Sequence, residues 1–239
     1  MARVTHPGLL YRDPWIIAVD KPSGLPSQAT RDPQRDHLVA AVRRLLEAEP
    51  EAAPIRQGAP WLHHRLDVET SGALVLAVHP DANAGLTRAF RDRLAQKEYR
   101  AVVARPAPGA LPPPLLEQPL RKERHRGRDR MVVTRSGGRS ARTRVRALAP
   151  ADGPLLLLEL TPETGRMHQL RAHLAHAGFP ILGDRLYGDA LPRGLRSLAP
   201  RLMLHALRLT LPHPVTGQDL AVEAPLPPEF ESVLADAGA

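Results

Sequence analysis

Not one cysteine occurs among the 239 residues, so disulfide cross-links and thiolate chemistry are excluded. No apolar stretch approaches the roughly 20 residues needed to span a bilayer, which marks a soluble chain and predicts no membrane partner. Residues 1–10 lack the long apolar core of a secretory signal, and a cytoplasmic location is the default expectation. There is no internal repeat, no His-Glu-x-x-His run and no glycine-rich phosphate loop followed by lysine. The pair Gly137-Gly138 is too little to imply a nucleotide cofactor. Five histidines, His63, His64, His168, His173 and His176, could in number ligate zinc, but their spacing is poor and nearby carboxylates are few. No metal is therefore expected.

What is abundant is positive charge. Thirty-three Lys and Arg against 25 Asp and Glu leave a net charge of +8, and nearly all the basic residues are Arg. The planar guanidinium fork suits phosphate, so a polyanionic partner is the first expectation. Compositional drift towards Arg, Ala, Leu, Pro and Gly would also raise the Arg count, so distribution carries more weight than number. Residues 121–146 hold eleven Arg or Lys and two acids, Glu123 and Asp129, among Gly127, Gly137 and Gly138. Such a run is either a solvated loop or a phosphate-contacting loop or hairpin whose binding would depend strongly on salt.

The length allows one large domain or two small ones. Residues 15–19 form a short apolar run ending in Asp20-Lys21-Pro22-Ser23-Gly24, which predicts a strand entering a turn. Asp36 is a candidate N-cap for a helix burying Leu38, Val42, Leu45 and Leu46, and prolines over 50–60 break it. Residues 73–78 predict a buried strand, and Asp81 caps a helix with Leu86, Phe90 and Leu94 in register. Further strands are predicted at 99–104, 155–160 and 201–211, and a helix over 167–177 closed by Gly178. Five prolines within 106–114 suggest a connection between two lobes. Without a regular βαβ repeat, the pattern predicts an α+β protein with a mixed, mostly antiparallel sheet.

Two constellations could carry chemistry. In the first, Asp67 lies in His64-Arg65-Leu66-Asp67, before the polar turn Thr70-Ser71-Gly72 and a buried strand. Such a turn can hold a carboxylate rigidly, yet an Asp beside Thr and Ser more commonly caps its own backbone. Taken alone, this segment favours the capped turn. The second is Thr164-Gly165-Arg166-Met167-His168-Gln169-Leu170-Arg171-Ala172-His173. As a helix it would gather Arg166, Gln169 and His173 on one face and set Arg171 on another, forming either an anion or carboxylate site or an exposed polar face.

Together these segments resemble the RluA family of RNA pseudouridine synthases over nearly the whole chain, from Leu9 to Pro225. The matching pieces come in the family's order. They are the Lys-Pro strand end within residues 20–25, the HRLDxxTSG motif at 64–72 and the Lys-x-Tyr element at 97–99. The TGRxHQLRxH motif at 164–173, Phe179-Pro180-Ile181-Leu182-Gly183-Asp184 and Leu204-His205-Ala206 follow. Two departures are Met167, where a small hydroxyl residue is usual, and Asp20, where Asn is frequent; both bear on substrate fit rather than on the reaction.

The resemblance implies a single catalytic domain of the pseudouridine synthase fold, with a two-lobe division near 105–115, flanking helices and a central active-site cleft. It makes Asp67 the nucleophile, Tyr99 the ring that stacks on the target uracil and Arg171 the cation paired with Asp67, keeping it ionised. Leu204 would pack against the bound base, and Arg65 would support the backbone or fill the gap left by the extruded nucleotide. His64, Arg166, His168 and Gln169 from the two motifs, with Arg128 and Arg130 from the basic run, complete the expected substrate-binding set. The implied partner is RNA, ribosomal or transfer, handled by a monomer without cofactor. Nothing before Leu9 is long enough for the small RNA-binding domain that some members carry. Two other readings are an RNA-binding protein of this fold without activity, and a hydrolase using Asp67 and Glu69. Two carboxylates so close in sequence rarely face one sugar from opposite sides.

Overall fold

The computed structural model describes residues 7–48, 58–148 and 153–236, so most of the expected proline break over 50–60 lies outside the described residues. In chain order the first elements are β1 (Gly8–Arg12), β2 (Ile16–Lys21), α1 (Leu38–Glu47), β3 (Trp61–Leu62), β4 (Ser71–Ala77), α2 (Asp81–Arg91) and β5 (Gln96–Ala104). Next come β6 (Leu115–Leu116), β7 (Leu120–His125), β8 (Arg128–Val133), β9 (Thr143–Ala147), β10 (Leu155–Pro162) and α3 (Gln169–His176). The chain continues with α4 (Arg193–Arg196), β11 (Leu204–Pro212), β12 (Asp219–Glu223) and α5 (Glu229–Asp236). Strands and helices mix without a repeating unit, and the fold is α+β as expected.

The chain forms two compact units, one of Met1–Lys97 with Ala206–Pro225 and one of Glu98–His205 with Leu226–Ala239. The changeovers thus fall near the starts of β5 and β11 and after β12, and the proline-rich 106–114 stretch lies inside the second unit.

In the first unit β2 runs antiparallel between β1 and β4, while β3 also pairs with β4 and β12 with β11. Every residue of β4 is buried, which is why residues 73–77 read as an unbroken apolar run rather than an alternating one. The core combines Ile16, Ala18, Val75 and Ala77 with Leu86 and Ala89 of α2 and with Leu209 and Leu211. Two helix limits differ from expectation. At α1 the cap is His37, whose Nδ1 accepts from Ala40 N at 3.3 Å, while Asp36 accepts from His37 N. Helix α2 stops at Arg91, and Arg93 adopts φ 60°, so Leu94 leaves the helical register and is 48% exposed.

The second unit is built on β5 paired with β10, β10 with β9 and β9 with β6, all antiparallel. Strands β7 and β8 make a separate two-stranded hairpin turned by Arg126 (φ 49°) and Gly127 (φ 77°). Two positive φ values in a two-residue loop match the twist of the flanking strands. The hairpin root, Leu120 and Met131, packs on Ala141 and Ala172. The basic run therefore contains a hairpin followed by strand β9. Helix α3 starts at Gln169, two residues later than the periodicity suggested, with His168 in the left-handed region (φ 49°). Gly178 (φ 85°) follows its C-terminus. No helix among the described residues is long and apolar enough to cross a membrane.

Candidate active site

In the first unit Asp67 is half-buried and opens a turn, with its carbonyl accepting from Thr70 N at 3.1 Å. The backbone on both sides of it is gripped by the loop that leaves β2. Ser27 Oγ donates to Leu66 O at 2.9 Å and accepts from Leu66 N at 3.2 Å. Gly24 N donates to Val68 O at 2.8 Å, and Ser23 Oγ to Glu69 O at 2.6 Å. At the centre is Lys21, 0% exposed, whose Nζ donates to Leu25 O at 2.8 Å, Pro22 O at 2.9 Å and Val68 O at 3.2 Å. An ammonium has three hydrogens to donate, and these carbonyls belong to both loops, so one side chain locks them together. Gly72 (φ 118°) then lets β4 approach β11, because a Cβ there would lie 2.2 Å from Ala206 O.

His64 does not present its ring to solvent. Its Nε2 accepts from Val75 N at 3.1 Å, and the imidazole stacks on Phe90 with centroids 4.3 Å apart. Burial, with smaller contributions from the Lys97 and His63 charges, pushes its pKa well below the ordinary histidine range. His64 therefore anchors the Asp67 segment from inside. Lys97 lies over the other partner of this stack, 5.1 Å from the Phe90 centroid, and burial lowers its pKa to about 8. Arg65 is exposed.

The second unit holds Tyr99, Arg171 and Leu204, all buried. Tyr99 lies on β5 opposite Leu160 of β10. Arg171 on α3 is 3% exposed and is held by Asp184, with Nε to Oδ2 at 2.7 Å and Nη2 to Oδ1 at 2.8 Å. Asp184 is itself fixed, since Oδ1 also accepts from Leu186 N and Tyr187 N, each at 2.9 Å. This two-point contact engages one edge of the guanidinium and sets its plane. Gly183 (φ 74°) makes the arrangement accessible to the backbone, because a Cβ there would lie 1.9 Å from Arg201 O. Tyr187 lies beside the pair, its ring centroid 5.3 Å from Arg171 Cζ.

The remaining residues of that motif lie along the helix and the turn before it. Gln169, expected at the substrate, is 4% exposed and staples the helix start: Nε2 donates to Arg142 O and Thr143 Oγ1, and Oε1 accepts from Arg166 N and Thr164 Oγ1. His173 on the same face meets Thr143 Oγ1 and Gln118 O, and burial lowers its pKa. Arg166 precedes the helix rather than sharing this face, and its Nε donates to Ser140 O. His168 Nδ1 lies 3.1 Å from the Tyr187 hydroxyl. On the hairpin Arg128 is exposed, whereas Arg130 is paired with Glu123 at 2.9 Å. Among the described residues no three His, Asp or Glu side chains gather as metal ligands would.

Lys21, Ser23, Ser27, Asp184 and Tyr187 thus shape the candidate groups without having been assigned a role from sequence. A lysine at the end of an apolar strand was a usable signal for the first, and an acid two and three residues before Leu186 and Tyr187 for the fourth.

The family described as RNA pseudouridylate synthase matches residues 15–176. The chain is 37% identical over 221 residues to the dual-specificity RNA pseudouridine synthase RluA of Escherichia coli K12, covering 91% of this chain and 92% of that one. It is 36% identical over 246 residues to tRNA pseudouridine synthase C of Salmonella typhi, covering 96% and 89%. Among solved structures, human RNA pseudouridylate synthase domain containing 4 superposes with a TM-score of 0.70 at 28% identity, covering 95% of this chain and 92% of that chain.

Proposed function

The chain belongs to the RluA family of RNA pseudouridine synthases and is an isomerase, and from that premise we propose that it converts specific uridines of ribosomal or transfer RNA to pseudouridine with Asp67 as the nucleophile. In this reaction the N1–C1′ bond breaks and a C5–C1′ bond forms. C5 gives up its proton and N1 gains one, so atoms and electrons balance within the nucleoside and water.

The observation that carries the reading is the restraint on the Asp67 backbone. Contacts from Lys21, Ser23, Gly24 and Ser27 hold Leu66, Val68 and Glu69 in place on both sides of the Asp67 carboxylate. A pre-positioned carboxylate can attack covalently or remove a ribose proton without reorganising. Arg171, whose guanidinium plane is set by Asp184 through Nε and Nη2, is the proposed counter-charge. Tyr99 offers the aromatic face on which an unstacked uracil rests.

A uridine in folded RNA must leave its stack to react, at a cost of about a few kcal/mol. Phosphate contacts to the hairpin arginines, Arg128 among them, offset that cost. Leu204 then packs against the base, and Arg65, exposed beside Asp67, supports the emptied position.

The test is tritium release from RNA labelled at uridine C5. The natural chain is expected to release tritium and retain the base in the strand, and Asp67→Asn to lose at least about 100-fold in rate. Free uracil in place of retained base would identify a hydrolase, binding without either product an inactive RNA-binding protein. Full activity in Asp67→Asn would sink the assignment.

A further inference from the structure

Among the described residues β7 and β8 form a sheet of two strands, bridged only at Leu120 by Arg139. An isolated two-stranded ribbon is marginal in water, so what grips its outer edge decides how it sits. Its root is held by apolar packing of Leu120 and Met131 on Ala172, the residue after Arg171, with Tyr187 against the same cluster. Leu120 and Arg139 also exchange backbone hydrogen bonds of 2.9 and 2.8 Å at the root, and β8 gains a contact of its own. The Tyr187 hydroxyl accepts from Met131 N at 2.7 Å, where a neighbouring strand would otherwise have supplied a carbonyl.

The same tyrosine reaches Arg171 by two routes. Its backbone N donates to Asp184 Oδ1 at 2.9 Å, the oxygen that also receives Arg171 Nη2. Its ring lies 5.3 Å from the guanidinium carbon. The hydroxyl is further steadied by His168 Nδ1 at 3.1 Å. Because the Met131 amide is an obligate donor, the phenol oxygen accepts from it, which leaves the phenol proton to be donated elsewhere, as to His168 Nδ1 in the tautomer that accepts there. His168 holds a left-handed backbone (φ 49°), a conformation that a non-glycine residue keeps only where its surroundings demand it. Phenylalanine would fill the same apolar space, so the hydroxyl is there for the hairpin amide.

We infer that Tyr187 is a positioning residue that ties the basic hairpin to Arg171, so that RNA phosphate bound at the hairpin tip also sets the orientation of the guanidinium. This rests on the reading of Arg171 and the hairpin given under the proposed function. Every link lies within the second unit: Tyr187 touches Met131 and the Arg171–Asp184 pair directly, and strand β8 joins Met131 to the hairpin tip.

The experiment is a double-mutant cycle on the full chain. One arm is Tyr187→Phe, and the other is Arg126→Gln with Arg128→Gln at the exposed hairpin turn. The probe is C5-tritiated tRNA and rRNA from cells lacking the gene. Binding and the single-turnover rate at saturating protein are measured separately, because a merely structural tyrosine would alter stability and binding but not the saturated rate. With Tyr187 present, the hairpin changes are expected to weaken binding and also slow the saturated rate by about tenfold, a coupling within the range of contacting groups. In the Tyr187→Phe background they should weaken binding alone, leaving the rate within about twofold. Equal slowing in both backgrounds, an effect on binding alone in the native chain, or a Tyr187→Phe chain that does not fold would overturn the inference. Asp67→Asn measured in parallel separates the two levels. If it stays active the underlying reading fails, and if it is inactive while the cycle is additive only the role of Tyr187 fails.

Discussion

At Asp184 a buried charge meets a buried counter-charge: the side chain of Asp184 is 0% exposed and that of Arg171 is 3% exposed. Removing one member of such a pair costs about 3–5 kcal/mol, because the survivor stays desolvated without compensation. Asp184→Asn keeps the volume but turns an amide N–H₂ or a lone carbonyl towards two guanidinium donors, so at least one contact becomes donor against donor. We expect a loss of about 3 kcal/mol in urea unfolding, together with a slowed single-turnover rate, since the plane of Arg171 is no longer set. Unchanged stability would mean that Asp184 is not what holds the arginine. This pairing was only partly legible in the sequence. Gly183-Asp184 stood out as a motif, but the partner of Arg171 could not be read from spacing, because the two lie thirteen positions apart in the chain. His64 illustrates the converse: its place beside Asp67 was plain, while its inward rotamer follows from Phe90 and Val75, which only the fold brings near.

Elements with strong apolar runs were readable, and their ends were not. Strand β4 was visible because every residue is buried, yet its first two residues, Ser71 and Gly72, look like turn chemistry. Helix α3 begins late because the Gln169 side chain caps the turn before it, accepting from Arg166 N and Thr164 Oγ1. Periodicity cannot register a side chain that competes with the helix for backbone partners. The unit boundaries were hidden for a related reason: the chain changes unit near the starts of β5 and β11, where composition does not shift. Gly72 is the position where one element depends most on another. A Cβ would meet Ala206 O at 2.2 Å, and φ 118° is unsuited to any other residue. Gly72→Ala should therefore cost at least about 2 kcal/mol, read as a lower urea midpoint. Catalysis should fall with it, since the strand starts four residues after Asp67. A midpoint equal to that of the native chain would show that β4 and β11 can separate without penalty.

For the whole molecule the consequential quantity is where the net charge of +8 resides. The basic run of 121–146 is not uniform once folded. On β9, Arg144 pairs with Glu163 and Arg146 with Glu159, so those cations meet acids of β10 or its end. In the hairpin the two acids engage Lys122 and Arg130, while Arg121, Arg124, Arg126 and Arg128 are exposed. RNA binding that releases counterions has a log–log salt slope of about 0.7–0.9 per phosphate neutralised. If each of these four arginines contacts one phosphate, replacing all four with Gln should weaken binding and flatten the slope by about 3. Replacing Arg144 and Arg146 instead should leave the slope within about 1 of the native value, because their charge is already balanced. Filter binding of labelled tRNA between low and moderate salt measures both. Equal flattening by the two sets would mean that the charge acts as a diffuse field, and the hairpin would then have no special claim as the phosphate clamp.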